Sequence, residues 1–194
     1  KGGTKKLLRG KRKISDIIVG TDYSTLDLVP ADLSYRNFDV ALSSSKGSYG
    51  SLRKLLKPVA KDYDYVFLDC PPSFSVLSEN VFKSADLLVI PMIPTTLSVR
   101  TFKQLTKFLD ENKLGGVPVA PFFTMVDRRK NMHLSITHEL PKRCPEFIEA
   151  SVPYASVVER MGVERRPLCT FAQSSLASRS YEGVWRSIEK LLVD

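Results

Sequence analysis

The run Tyr63-Asp64-Tyr65-Val66-Phe67-Leu68-Asp69-Cys70-Pro71-Pro72 constrains this chain most. Apolar and aromatic residues lead up to one carboxylate, Asp69, and two prolines close the run. With almost no polar alternation, it reads as a strand covered on both faces, the usual state in a parallel sheet flanked by helices. Pro71 and Pro72 have no N–H to give a ladder, so the strand is expected to finish by Cys70. Asp69 then stands at the carboxyl end of a central strand, where open α/β sheets place their ligands. The plain alternative is a turn aspartate before a Pro-Pro stop.

Helix and strand signals alternate around this run. Leu52, Leu55, Leu56 and Val59 share one helical face while Arg53, Lys54 and Lys57 take the other, and Ser51 can cap that helix. After the prolines, residues 73–84 carry Val76, Leu77, Val81 and Phe82 on one stripe, and residues 86–92 read as a second buried strand. A long helix follows, to about residue 112, with Phe102, Leu105 and Leu109 as its core face; Gly115-Gly116 ends it. Residues 117–124 are a third strand candidate, although two prolines argue against continuous central pairing. Then come a helix over 133–143, a strand over 147–152 closed by Pro153, and a short helix over 154–161 before Gly162. The best-patterned helix spans 174–192, where Leu176, Tyr181, Val184, Trp185, Ile188, Leu191 and Leu192 recur at three- and four-residue spacings. Upstream lie a helical turn at 14–19, a weak strand at 25–29, a short helix reaching residue 42 and a serine- and glycine-rich loop at 43–51. The class is α/β with a mostly parallel sheet.

A chain of 194 residues suits one domain. Its 29 basic and 21 acidic residues leave +8, which suits a polyanionic partner or ordinary solubility. Residues 1–13 hold seven Lys or Arg and no acid, a cluster that fits a nucleic-acid contact, a flexible arm or a solvated loop. Cys70, Cys144 and Cys169 are too scattered for a metal spacing and point to a reducing, cytoplasmic setting. No apolar run approaches the roughly 18 residues of a membrane span. His133 and His138 lie five apart without an H-E-x-x-H pattern and read as surface or packing residues.

Residues 63–105, YDYVFLDCPPSFSVLSENVFKSADLLVIPMIPTTLSVRTFKQL, resemble the ParA family of deviant Walker-motif P-loop ATPases, which partition plasmids and chromosomes. TLDLVPADLSYRNFDVAL (25–42) resembles the strand, loop and helix before the family's Walker B segment. FTMVDRRKNMHLSITHEL (123–140) resembles its T-M-x-D-x-R-x-N segment, and ASVPYASVVERMGVERRPLCTF (150–171) the stretch over the nucleotide base. The likeness covers residues 14–192 and implies a three-layer P-loop NTPase-like α/β fold with a mostly parallel central sheet, incomplete at the N-terminus as the sequence stands. It implies a basic segment at 1–13 and a single ATPase domain at 14–194. Asp69 would be the Walker B carboxylate, polarising a water or hydroxyl in a magnesium shell, directly or through water. Cys70, Pro71 and Pro72 would form the switch that reports nucleotide state. Thr124, Met125 and Asp127 would lie near the purine or ribose, with the Pro153 to Val157 segment, Tyr154 included, completing the wall. Without the likeness, Met125 is a core or loop-edge residue, and Asp127 an acceptor for Arg128 or a helix cap.

The resemblance further implies ATP or ADP with Mg2+ as cofactors, a nucleotide-bound homodimer, non-specific double-stranded DNA and a centromere-binding ParB-like protein as partners, no membrane, and a cytoplasmic, nucleoid-associated location. Arg100, Lys103, Lys107, Arg128, Arg129, Lys130, Arg165 and Arg166 are the DNA-binding candidates, against the bland reading of solvated charge. The family opens with K-G-G-x-G-K-T-[ST], whose backbone donors cradle phosphates, and carries D-x-D-x-Q after the next strand. Here Lys1, Gly2 and Gly3 match the opening, but neither G-K-[ST] nor D-x-D-x-Q occurs in the sequence. Truncation or omission is favoured over degeneracy: the intact protein is expected to hydrolyse ATP and the literal 194-residue chain is not. Thr95-Thr96-Leu97-Ser98 replaces an acidic residue and a glycine common in the family, which leaves the subgroup open. A non-catalytic scaffold binding DNA or protein, and a MinD-like positioning ATPase, are the alternatives. The second is disfavoured because the last helix reads as a core helix.

Overall fold

The computed structural model describes residues 3–8, 10–31, 42, 51–70 and 75–193. It divides into two compact units, Lys1–Ala85 and Asp86–Asp194.

In the first unit, α1 (Gly3–Leu8) and a 3-10 turn (Ile14–Ile17) precede a short antiparallel pair, β1 (Val19–Gly20) with β2 (Asp27–Leu28). The hydroxyl of Thr21 closes the connecting loop, donating to the Leu26 carbonyl at 2.7 Å and accepting the Tyr23 N–H at 3.1 Å. Helices α2 (Ser51–Ala60) and α3 (Val76–Ser84) follow. The amphipathic reading of α2 holds: Leu52 is buried, Leu55, Leu56 and Val59 are half-buried, and Arg53, Lys54 and Lys57 face water. Among the described residues, Leu7, Ile14, Leu42, Leu52 and Val81 are the buried apolar ones here. Ser75 caps α3 by accepting the Ser78 N–H at 3.4 Å.

The run expected as a buried central strand departs from that expectation. Residues 65–70 form no regular strand, and Tyr65, Val66 and Phe67 are 43%, 47% and 73% exposed. An apolar run becomes a buried strand only when neighbours pair with its edges. Among the described residues of this unit the only regular sheet is the β1–β2 pair, and the run is not part of it. Its start is anchored by Tyr63, whose hydroxyl donates to Asp27 Oδ2 at 2.7 Å.

The second unit builds on β3 (Leu88–Met92) and β4 (Val119–Phe123), parallel and in register from Leu88↔Val119 to Met92↔Phe123. They are joined through α4 (Thr96–Glu111), capped by Thr95 accepting the Ser98 N–H at 3.2 Å. Then come α5 (Asn131–Arg143), α6 (Ser156–Glu164), α7 (Leu168–Phe171) and α8 (Leu176–Val193). Strand alternation sends β4 side chains to two cores. Ala120 and Phe122 pack with Val184, Ile188 and Trp185 of α8, together with Ile148 and Val152. Phe123, with Met92 and Ile90 of β3, meets Val99 and Phe102 of α4, Ile136 and Leu140 of α5, and Phe147. Helix, sheet and helix layers are thus set by one five-residue strand buried on both faces.

The prolines in these strands do not break the pairing. Leu88 N–H bonds the Pro118 carbonyl and Thr124 N–H bonds the Met92 carbonyl, so 118, 120, 122 and 124 address β3. The Pro121 carbonyl instead accepts the Ile148 N–H at 2.9 Å. Its missing donor therefore lies on the side away from β3, and likewise Pro91 falls on the β3 edge away from β4. The expected strand at 147–152 is an irregular ribbon: Ile148 N–H bonds Pro121, Val152 N–H bonds Phe123, and only Val126↔Pro153 forms a bridge. Four residues separate those donors while two separate the acceptors, so the intervening chain bulges. Helix α6 passes through Gly162, the expected stop, and ends at Arg165 in the left-handed region (φ 50°). Among the described residues, no helix is long and apolar enough to cross a membrane.

Candidate functional site

A cavity of about 250 Å3 opens in the second unit, lined by Thr124, Met125, Val152, Pro153, Tyr154, Ala155, Val158, Glu159 and Tyr181. Of the residues that the sequence points to for a purine wall, Thr124, Met125, Pro153, Tyr154 and Ala155 meet here, and Asp127, Ser156 and Val157 do not line it. The segment after β4 and the one after the ribbon come together because Val126 N–H bonds the Val152 carbonyl and Tyr154 N–H bonds the Val126 carbonyl, both at 3.0 Å. Tyr154 is half exposed and its hydroxyl donates to Glu159 Oε1 at 3.4 Å. A mostly apolar slot with an aromatic ring and few polar groups suits one flat heteroaromatic ring system.

Met125 has a φ of 54°, a left-handed conformation that costs a non-glycine residue about 1–3 kcal/mol and persists only where neighbours impose it. Those neighbours are identifiable. Thr124 is pinned to Met92 at 2.9 Å on one side, Val126 to the ribbon on the other, and the Asp127 N–H donates to His133 Nδ1 at 3.1 Å.

Asp127 does not line the cavity. Its Oδ1 accepts from the Arg129 backbone N–H at 3.1 Å and from Arg129 Nε at 2.9 Å, and its Oδ2 accepts from Arg129 Nη2 at 2.9 Å. The Arg129 guanidinium, then its backbone N–H, hold the carboxyl down at about 2, against a smaller opposing effect of desolvation. The acceptor role weighed from sequence is present, with Arg129 in place of Arg128. Lys130 occupies the cap position of α5, without a side-chain cap.

Asp69 belongs to the first unit, and its carboxylate is exposed. The neighbouring Cys70 is an exposed residue whose Sγ donates to the Leu68 carbonyl at 3.3 Å; desolvation first, then the Asp69 charge, push its thiol up. Lys1, Gly2, Pro71 and Pro72 lie outside the described residues, and Gly3 starts α1. The eight basic candidates are all exposed residues of the second unit. Arg100, Lys103 and Lys107 recur on one face of α4, where Lys107 also pairs with Glu111 at 3.5 Å. Arg166 is engaged locally, donating to Thr170 Oγ1 and to the Thr170 carbonyl.

Sequence reasoning missed Tyr181 and Glu159 at the cavity and the acceptor role of His133. Tyr181 looked like one more member of the α8 core stripe, and His133 is buried at 3% exposure without any spacing motif to mark it.

The helix-sheet-helix layering, with a cavity opening just past the end of β4, is the α/β three-layer arrangement of the P-loop NTPase type. A family model described as an AAA domain (AAA_31) matches residues 4–114, more than half of the chain, and the chain belongs to that family, as a ParA/MinD-like deviant Walker-type P-loop ATPase. It is similar to the chromosome partitioning protein ParA of Myxococcus xanthus (strain DK1622), 27% identical over 188 residues, covering 94% of this chain and 66% of that protein. It is also similar to a ParA family protein of Chlamydia muridarum, 26% identical over 195 residues, covering 97% of this chain and 76% of that one. The chain thus spans just under two thirds of the Myxococcus protein's length. Among solved structures, a plasmid partition protein of Borrelia burgdorferi B31 bound to AMPPNP superposes with a TM-score of 0.79 at 21% identity, over 96% of this chain and 73% of that one. That likeness carries the three-layer P-loop NTPase-like fold.

Proposed function

We propose that this chain is the larger part of a partition ATPase that binds ATP with Mg2+, pairs with a second copy around nucleotide, and holds DNA without sequence preference until a ParB-like protein promotes hydrolysis. The observation that carries the reading is the cavity, where Thr124, Met125, Pro153 and Tyr154 come together from two separated sequence segments. Its apolar, aromatic lining fits an adenine ring, with Thr124 and the backbone supplying the polar edge. Asp69, in its D-C-P-P run, is the carboxylate we assign to magnesium on the family likeness alone; the metal would supply charge neutralisation to the phosphates. The exposed Arg100, Lys103 and Lys107 face of α4 supports the DNA step, since each phosphate neutralised releases counterions.

The test is equilibrium binding of MgATP to the chain and to Asp69→Ala, with the cavity followed through Tyr154→Ala. The expected result is measurable binding that weakens about tenfold or more in each variant. Equal affinity in all three proteins would refute the assignment. For DNA, random duplex should bind with an affinity that falls linearly on a log-log salt plot, and Arg100→Ala should reduce the slope by about 1. A second reading rests on the exposed Arg100, Lys103 and Lys107 face alone: a non-catalytic member that keeps the DNA surface without turnover. DNA binding that is indifferent to ATP and unaltered in Asp69→Ala would select it.

A further inference from the structure

His133 has no place in the reading above, yet it touches the turn that makes the cavity wall. It is the third residue of α5, 3% exposed, and its Nδ1 accepts the Asp127 N–H at 3.1 Å. Four hydrogen bonds hold the turn around the left-handed Met125: Thr124 N–H to Met92, Val126 N–H to Val152, Tyr154 N–H to Val126, and Asp127 N–H to His133. Three of the acceptors are backbone carbonyls that the fold supplies whatever the side chains are. The fourth is an imidazole nitrogen, so it depends on residue identity and on where the ring carries its proton.

We infer that His133 is a positioning residue for the cavity: its neutral ring, with the proton on Nε2 and Nδ1 free to accept, fixes the Thr124 to Asp127 turn and thereby the wall that Thr124 and Met125 present to a bound base. An Nδ1 that accepts cannot carry a proton, so a neutral ring has its N–H on Nε2. The charged ring and the other tautomer would each turn an N–H toward the N–H of Asp127. The carboxylate of Asp127 is committed to Arg129, so the residue is gripped from both ends: backbone by His133, side chain by Arg129. Helix α5 is in this way latched to the turn it follows. The nucleotide consequence rests on the proposed function; the latch itself does not.

The experiment uses the full chain with three readouts. Long-range 1H–15N correlation spectra of the histidine rings should show His133 protonated at Nε2 and not at Nδ1. Hydrogen exchange at the Asp127 amide should accelerate roughly tenfold or more in His133→Leu, which leaves that donor without its acceptor. His133→Asn, whose Oδ1 can stand where Nδ1 stood, should restore protection to within about threefold. With ATP as the probe, amide shifts of Thr124 and Tyr154 should give a dissociation constant about tenfold weaker in the Leu variant and recovered in the Asn variant. A proton on Nδ1, or an Asn variant as poorly protected as the Leu variant, overturns the inference, and the tautomer reading decides it even if the Leu variant fails to fold. A wild-type cavity silent to ATP, with tautomer and exchange as expected, refutes the nucleotide reading and leaves the latch standing.

Discussion

Replacing Phe147 by alanine probes the core packing behind the end of β4, the strand that leads into the cavity wall. The ring is 7% exposed; it stacks on Phe123 at 4.9 Å between centroids with a 28° interplanar angle, and meets Phe102 edge-on at 5.8 Å and 73°. Phe123 is the last residue of β4 and precedes Thr124, so this stack ties the strand end to α4. Emptying a ring-sized site costs about 3–5 kcal/mol in lost transfer energy and residual cavity. About 0.5–1.5 kcal/mol for each aromatic pair is interaction beyond area burial. Trp185, the single tryptophan, packs on the other core of the same unit, so its fluorescence in urea reports whether that unit is folded. With slopes of about 1–3 kcal/mol/M, the midpoint should fall by at least roughly 1 M. A double-mutant cycle with Phe123→Leu and Phe147→Leu should return a coupling of about 1 kcal/mol. A destabilisation under about 1 kcal/mol, or a coupling indistinguishable from zero, would refute this account of the core.

Two further outcomes follow from the caps and charges. Because the Asp127 carboxyl sits at about 2 in the folded chain, below the roughly 3.9 of an unfolded aspartate, its contribution to stability is complete above about pH 4 and disappears as pH falls through 2. Arg129→Met should bring its carboxyl titration, followed by 13C NMR, back toward about 3.9; a midpoint still near 2 would discount the guanidinium as the cause. Thr95→Ala, which removes the acceptor for the Ser98 N–H, should cost about 0.5–2 kcal/mol in thermal unfolding while Thr95→Ser costs little; an unchanged melting temperature would count against the cap.

What was legible in the sequence was whatever a local pattern dictates. The apolar stripes placed α4 and α8 to within about two residues at each end, because a buried helical face repeats every three or four positions whatever it packs against. The β3 strand was legible for a related reason: a five-residue apolar run between helices has few other uses. The doubt over β4 came from counting prolines without knowing which edge each would face, and the register of a parallel ladder resolves that only in three dimensions. The cavity was accessible through the motif likeness alone, since nothing local in Thr124-Met125 and Pro153-Tyr154 announces that they meet. His133 was invisible for the opposite reason. A lone histidine on a helix carries no pattern, and its acceptor role exists only because the preceding turn folds back onto it.

The solvent-exposed side chains at residues 65–67 have a consequence for the behaviour of the material in solution. Tyr65, Val66 and Phe67 turn aromatic and β-branched side chains toward solvent, apolar surface of the kind that favours self-association. Asp62, Asp64 and Asp69 bracket it with negative charge, which acts as a gatekeeper against such association. Asp69→Ala removes the negative charge downstream of this exposed apolar stretch, so monodispersity by light scattering has to accompany every affinity measured on that variant.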